Sequence, residues 1–267
     1  MRGIAARIST WVRILSDIVH VEPIGMTPGE LDAIRATVFV GPLAPWADSL
    51  AFHDHPQALP SADLADPTLF DDLLSRFGRD YPTADRRAVA SFWSQHYFSR
   101  LLIGLTAFCL AADGPLDFDL AAMRTQFCPI KGTPLCFHLR RGGPTRSTAA
   151  LVKALYDDQV AETVAAVKRH VKLSERLLWE NAGSYGMWVL GEIGRTRPAS
   201  APTITALLSD PDWPRAACAI LTQSKSAAKH GSSARRRVCC LRYRLPGIAR
   251  CAGICPLSEA DGPDALS

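Results

Sequence analysis

Leu116-Asp117-Phe118-Asp119-Leu120-Ala121-Ala122-Met123-Arg124-Thr125-Gln126-Phe127-Cys128-Pro129-Ile130-Lys131-Gly132-Thr133-Pro134-Leu135-Cys136-Phe137-His138-Leu139 carries the one clear strand signal in a chain of 267 residues. Leu116, Phe118 and Leu120 alternate with Asp117 and Asp119, the two-residue period of a half-buried strand. The runs from Met123 to Cys128 and from Leu135 to Leu139 flank Lys131-Gly132-Thr133-Pro134, where Gly and Pro mark a turn. The stretch reads as a β-hairpin with Cys128 and Cys136 facing each other across it. Helical periods surround it, so the expected fold is α+β and predominantly helical, with helical blocks around a small antiparallel hairpin or sheet.

Upstream, Thr83 is placed to cap a long helix through Ala88, Phe92, Tyr97, Leu101 and Leu105, which Asp113-Gly114-Pro115 stops. Leu69, Phe70, Leu73, Leu74 and Phe77 form a short amphipathic helix ending at Gly78. Prolines at 42, 45, 56, 60 and 67 make the preceding stretch a loop, and its His53-Asp54-His55 reads as a solvated turn rather than a pair of metal ligands. Thr27-Pro28-Gly29-Glu30 opens a helix to about Phe39, with Thr as cap and Glu reaching back to it. Ile4, Ile8, Trp11, Leu15 and Ile18 mark a first helix, either packed or, through Trp11 and its arginines, in weak peripheral contact with a membrane.

Downstream, Arg140 to Pro144 reads as a linker into a second helical block striped by Leu151, Leu155, Val160, Val164, Val167 and Val171. Ser174-Glu175 opens a further helix to Gly194, after which Pro198, Pro202, Pro211 and Pro214 cut the chain into short pieces. Gln223 to Ser233 is a flexible lead.

A hydrophobic content of 48% is enough for one large core or two small ones, and the formal net charge of +4 is concentrated near the C-terminus. A local excess argues against a general nucleic-acid binder. No signal-peptide pattern opens the chain, and the longest apolar run, Leu101 to Ala112, is too short to cross a bilayer. The expected location is the cytoplasm, where thiols stay reduced. Gly-x-Ser-x-Gly, His-Glu-x-x-His, Walker-type and Gly-x-Gly-x-x-Gly patterns are all missing, so no side-chain nucleophile or nucleotide site is expected.

Chemistry concentrates in Arg235-Arg236-Arg237-Val238-Cys239-Cys240-Leu241-Arg242-Tyr243-Arg244-Leu245-Pro246-Gly247-Ile248-Ala249-Arg250-Cys251-Ala252-Gly253-Ile254-Cys255-Pro256, which holds four of the eight cysteines. Four close thiols, with Pro-Gly folding the chain back, suit a four-thiolate site for zinc or for an iron–sulfur cluster. Neighbouring side chains leave an extended backbone on opposite sides, so bringing Cys239 and Cys240 to one ion requires an unusual turn. A binuclear cluster relaxes that demand. Between Asp212 and Glu259 there is no acidic residue but nine Lys and Arg, and cations near an anionic cluster stabilise its reduced form. Cys109, Cys128, Cys136 and Cys218 have no partner at ligand spacing and read as small buried residues.

The Cys-Cys pair, ten residues, a Cys, a short gap and Cys-Pro after a basic run resemble the C-terminal signature of the FhuF-like siderophore-iron reductases. The resemblance extends through Ser91-Phe92-Trp93-Ser94-Gln95-His96-Tyr97-Phe98 and Ser174-Glu175-Arg176-Leu177-Leu178-Trp179-Glu180-Asn181-Ala182-Gly183. It implies a [2Fe-2S] protein of the bacterial cytoplasm that reduces ferric iron held by a siderophore, of hydroxamate type, with Cys239, Cys240, Cys251 and Cys255 as ligands. The family's final pair is usually Cys-x-x-Cys; here Ala252-Gly253-Ile254 intervenes, which implies an altered cluster geometry with Gly253 taking the extra turn.

On this reading Arg235, Arg236 and Arg237 attract an anionic complex, and Trp93, Tyr97, Trp179 or Trp188 gives it an apolar wall, although core packing is the ordinary duty of such aromatics. Electrons would come from an acidic ferredoxin or flavoprotein docking on the basic segment. The chain divides into a helical region at 1–112, a β-hairpin and helices of the same domain at 113–224, and the basic lead with the cluster segment at 225–267. The competing reading is a non-catalytic siderophore-binding helical protein stapled by a structural four-cysteine zinc site.

Overall fold

A computed structural model describes residues 27–112, 114–210, 236–251 and 254–257. The expected helix at 4–18, the lead at 223–233, Cys218, Arg235 and Gly253 lie outside the described residues.

Local signals start the helices. Helix α1 (Pro28–Val38) opens on a complete capping box, with Thr27 Oγ1 accepting from the Glu30 N–H and the Glu30 carboxylate accepting from the Thr27 N–H. Asp66 caps α2 (Pro67–Gly78), whose Phe70, Leu73, Leu74 and Phe77 are buried along one stripe. Asp85, not Thr83, caps α3 (Arg86–Phe98): its carboxylate accepts from the Arg87 N–H at 2.8 Å. The expected long helix is therefore two, because α3 passes through a π turn at Ser99–Ile103 before α4 (Gly104–Ala112). At Gly104 a Cβ would come within 2.8 Å of the Ser49 Cβ, so glycine lets the 3₁₀ segment Gly41–Ser49 lie against the helix.

The hairpin is longer than its sequence pattern. Strands β3 (Leu116–Phe127) and β4 (Pro134–Arg146) pair antiparallel, and two short strands, β1 (Leu50–Ala51) and β2 (Leu59–Pro60), complete a mixed sheet in the order β1-β4-β3-β2. Residues 140–144 are thus strand rather than linker. The Arg141 guanidinium forms two hydrogen bonds with the Asp117 carboxylate, 2.7 and 2.8 Å, so a cross-strand ion pair continues the ladder where apolar alternation stops. The proline-rich stretch, expected as loop, supplies both edge strands, and Pro60 is tolerated because β2 is an edge.

His53-Asp54-His55 is tied to the sheet instead of lying free. Asp54 pairs with Arg140 through bonds of 2.8 and 2.7 Å, and His138 Nδ1 donates to the His53 carbonyl at 2.9 Å. Cys128 and Cys136 are out of register: Cys136 faces Gln126, while the Cys128 N–H closes the turn on the Thr133 carbonyl, and both thiols are free.

Behind the sheet run α5 (Thr148–Ala154), a π turn at Leu155–Val160 and α6 (Ala161–His170), followed by α7 (Glu175–Thr196), capped by Ser174, and α8 (Ala201–Ser209). One continuous apolar cluster runs from Leu31 to Leu245 and draws on every one of these helices. Trp93, Tyr97, Phe98 and Phe108 are fully enclosed in it. No helix among the described residues is long and apolar enough to cross a membrane.

Candidate metal centre and the cavity beside it

Helix α3 packs against α7, and each turns polar side chains toward the other in an otherwise apolar interface. Ser91, Ser94 and Gln95 lie buried on α3, and Glu180 and Asn181 on α7. Polar groups removed from water must find partners, and here the partners are the cysteine segment. Asn181 Nδ2 donates to the Ser91 carbonyl at 3.1 Å and to Ser94 Oγ at 3.0 Å. Its Oδ1 accepts from Arg236 Nη2 at 2.5 Å. Glu180 Oε2 accepts from the backbone N–H groups of Arg237 and Val238, each at 2.9 Å, with Arg236 Nε 3.9 Å away. Ser91 Oγ donates to the Cys240 carbonyl at 2.6 Å. Two helices thereby grip the chain immediately before and at the Cys-Cys pair.

The segment's two ends are tied together as well, since the Arg236 N–H donates to the Ile254 carbonyl at 2.9 Å. Leu241 takes a left-handed conformation, φ 62°, unusual for a residue with a branched side chain. This is the turn that adjacent cysteines require: directly after it begins, the Leu241 N–H donates to Cys239 Sγ at 3.3 Å while Cys240 Sγ comes to 3.9 Å from Cys251 Sγ.

Charge on the sulfurs is unevenly shared. Hydrogen bonds from the Cys239 and Cys251 thiols lower the Cys240 pKa strongly, helped by the Arg242 backbone N–H and the Arg236 charge. The same bonds, with burial, raise Cys239 and Cys251, and both also feel Cys255. The four sulfurs are thus linked through Cys240 and Cys255, and the downward shift at Cys240 runs in the direction a thiolate ligand needs. Among the described residues, no three His, Cys, Asp or Glu side chains close on one point as a single ion demands. Cys240 and Cys251 meet as one close pair, and four thiolates at this spacing fit the donor set of a two-iron cluster, which shares them between its irons.

Beside Cys251 opens a cavity of about 450 Å³, lined by Trp46, Trp188, Tyr185, Ile103, Gln95 and Ile254 together with Arg236, Arg242 and Arg250. The rings of Trp46 and Trp188 lie 5.2 Å apart. The π turn after α3 ends on Ile103, one of the wall residues, in keeping with the frequent placement of such turns at functional sites.

The structure separates the residues that the sequence suggested. Cys240 and Cys251 meet at 3.9 Å, Cys239 lies next to them, and Cys255 lies near enough to act electrostatically on Cys239 and Cys251. Trp93 and Tyr97 are fully buried core, with Trp93 Nε1 donating to the Gly132 carbonyl at 2.9 Å, so neither offers a face to substrate. Arg236 is 4% exposed and committed to Asn181 and Glu180, a structural strap rather than a lure for anions. Arg237 is exposed. Trp188 does reach the cavity. Sequence reasoning missed the cradle of Ser91, Ser94, Glu180 and Asn181, and the wall of Trp46, Gln95 and Tyr185. The available signal was polar residues at positions 91, 94 and 95, one helical turn apart inside an apolar helix, and a Glu-Asn pair on the apolar face of α7.

Residues 91–230 match the family described as ferric iron reductase FhuF-like transporter, and residues 236–257 match the FhuF 2Fe-2S C-terminal domain. No curated protein shows significant similarity to the chain. The first match covers more than half of the 267 residues and ends just before the cysteine segment begins. The cradle on α3 and α7 falls in one match and the four closely spaced cysteines in the other, and by these matches the chain belongs to the FhuF-like ferric iron reductase family, whose C-terminal domain carries a [2Fe-2S] cluster.

Proposed function

We propose that this protein is a cytoplasmic ferric-siderophore reductase in which Cys239, Cys240, Cys251 and Cys255 hold the cluster and the cavity beside Cys251 receives the substrate. The observation that carries the reading is that Cys251 belongs both to the sulfur group and to the cavity wall. When bound, the [2Fe-2S] cluster supplies the single electron that turns Fe(III) into Fe(II). Siderophore oxygens are hard, anionic donors that hold the higher charge far more strongly, so the iron becomes exchangeable once reduced.

The chain's own residues do the positioning. Glu180, Asn181 and Ser91 fix the backbone that carries the cysteines, and Trp46, Tyr185 and Trp188 provide an apolar wall that sheds water when a chelate enters. Arg242 and Arg250 bring positive charge to that wall. An acidic ferredoxin or flavoprotein would dock on the basic cysteine segment, where Arg237 and Arg244 are exposed; rapid reduction of the purified protein by NADH or NADPH alone would remove that partner from the scheme.

The test is anaerobic mixing of the reconstituted, dithionite-reduced protein with ferric siderophores or ferric citrate. Recovery of the oxidised visible spectrum in step with trapping of Fe(II) is expected. A spectrum that stays bleached with every ferric chelate offered would overturn the proposal.

A further inference from the structure

Among the described residues, three arginines and no carboxylate line the cavity beside Cys251. Arg236 faces the buried Glu180 carboxylate behind the wall. Arg242 lies with its guanidinium 5.5 Å from the centre of the Phe92 ring, and Arg250 lies 5.8 Å from the centre of the Tyr243 ring.

Gln95 adds a second, independent observation. It is 3% exposed, lines the same cavity, and its Nε2 amide has no hydrogen-bond partner. A buried donor without an acceptor is costly, and an oxygen entering the cavity removes the cost. The Nε of Arg242 is likewise buried without a hydrogen bond. The wall thus presents donors and positive charge, and its complement is a ligand of acceptor oxygens and negative charge.

We infer that Gln95 and Arg242 form a subsite for anionic oxygen donors, so that the cavity selects ferric chelates of net negative charge over neutral ones. This rests on the reductase reading and narrows its substrate. A full set of hydroxamates balances the charge of Fe(III), whereas catecholates, each doubly charged when bound, and citrates with uncoordinated carboxylates leave the complex negative. The substrate class is therefore the catecholate or α-hydroxycarboxylate complex rather than the neutral trihydroxamate that the family resemblance suggests. The cavity's size, about 450 Å³, is at the compact end of small-molecule sites, and the flat faces of Trp46 and Trp188 suit aryl rings.

Gallium(III) separates binding from electron transfer, because it matches Fe(III) in charge and size but accepts no electron. The protein is titrated with gallium complexes of citrate, of catechol and of a neutral cyclic trihydroxamate, at low and high salt, following tryptophan fluorescence. The anionic complexes bind at least about tenfold more tightly than the neutral one, and the preference shrinks as salt rises. Gln95→Leu and Arg242→Gln each weaken anionic binding by about tenfold and leave the neutral complex unchanged. The tighter of the citrate and catechol arms identifies the chelate class.

Equal or tighter binding of the neutral complex by the wild-type protein overturns the inference, as does an equal loss for all three complexes in both variants. If the gallium complexes show no charge preference while ferric trihydroxamate reoxidises the reduced protein, only the subsite falls. If no ferric chelate of either charge reoxidises it, the reductase reading falls instead.

Discussion

Glu180 anchors the segment that carries the cysteines. Its carboxylate, with a side chain 1% exposed, accepts two backbone N–H groups just ahead of the Cys-Cys pair and faces Arg236, itself 2% exposed in its side chain. Removing one side of a buried charge pair leaves the other uncompensated, and two donors lose their acceptor besides. Glu180→Ala should cost about 3–5 kcal/mol and release iron from the reconstituted protein. Glu180→Gln, which keeps an acceptor oxygen, should lose less of both. Denaturant midpoints and iron per chain check this; an Ala variant with full iron and an unchanged midpoint would contradict it. The four cysteines were legible because their spacing lies within one short stretch. The cradle was not, because its bonds join residues far apart in the chain, Ser91 and Cys240 being separated by 149 positions. Arg236 looked like its neighbours in a basic run, and only packing distinguishes the buried strap from the exposed Arg237.

Among the elements, helix starts were legible at Thr27 and Ser174, where the cap is local, but not at Asp66 or at Asp85, in whose place the sequence pattern suggests Thr83. The π turns and the extent of the hairpin were not, since each depends on partners across the fold. The far end of β3 and β4 is held by Asp117 and Arg141. Hydrogen bonding from Arg141 keeps the Asp117 carboxyl below its ordinary 3.8. The stability it contributes is fully present above that value and is lost as pH falls through the lower folded value. Asp117→Asn should therefore lower stability at neutral pH by less than about 1 kcal/mol, the pair being partly exposed, and the gap from wild type should close in acid. A gap independent of pH would exclude a charge effect. The π turn at Leu155–Val160 places Tyr156 against α7, where a Cβ on Gly186 would lie 1.7 Å from the tyrosine hydroxyl oxygen. Gly186→Ala gains about 1 kcal/mol of helix propensity but meets that overlap, for a net loss of about 1–2 kcal/mol in chemical denaturation. Tyr156→Phe in the same chain should recover most of it; failure to do so would place the strain elsewhere.

At the scale of the whole molecule, one apolar core holds the sheet and helices together and presents α3 and α7 as a rigid platform for a segment with little regular structure of its own. The predominantly helical α+β class was legible from periodicity. The cavity beside Cys251 was not, because its wall is assembled from the 3₁₀ segment carrying Trp46, from α3, from α7 and from the cysteine segment. A segment held to such a platform by buried hydrogen bonds brings Cys251, half-buried, to a cavity wall, which is what electron delivery to an external chelate would require. The central claim is that these sulfurs hold a two-iron cluster. Replacing Cys239, Cys240, Cys251 and Cys255 by serine one at a time, and reading bound iron, visible absorption and the EPR signal of the reduced protein after anaerobic reconstitution, tests it directly. Loss or marked change of the cluster signature in each variant, with Cys109→Ser unaffected, is the expected result; four variants that keep wild-type iron and an unchanged spectrum would contradict the account.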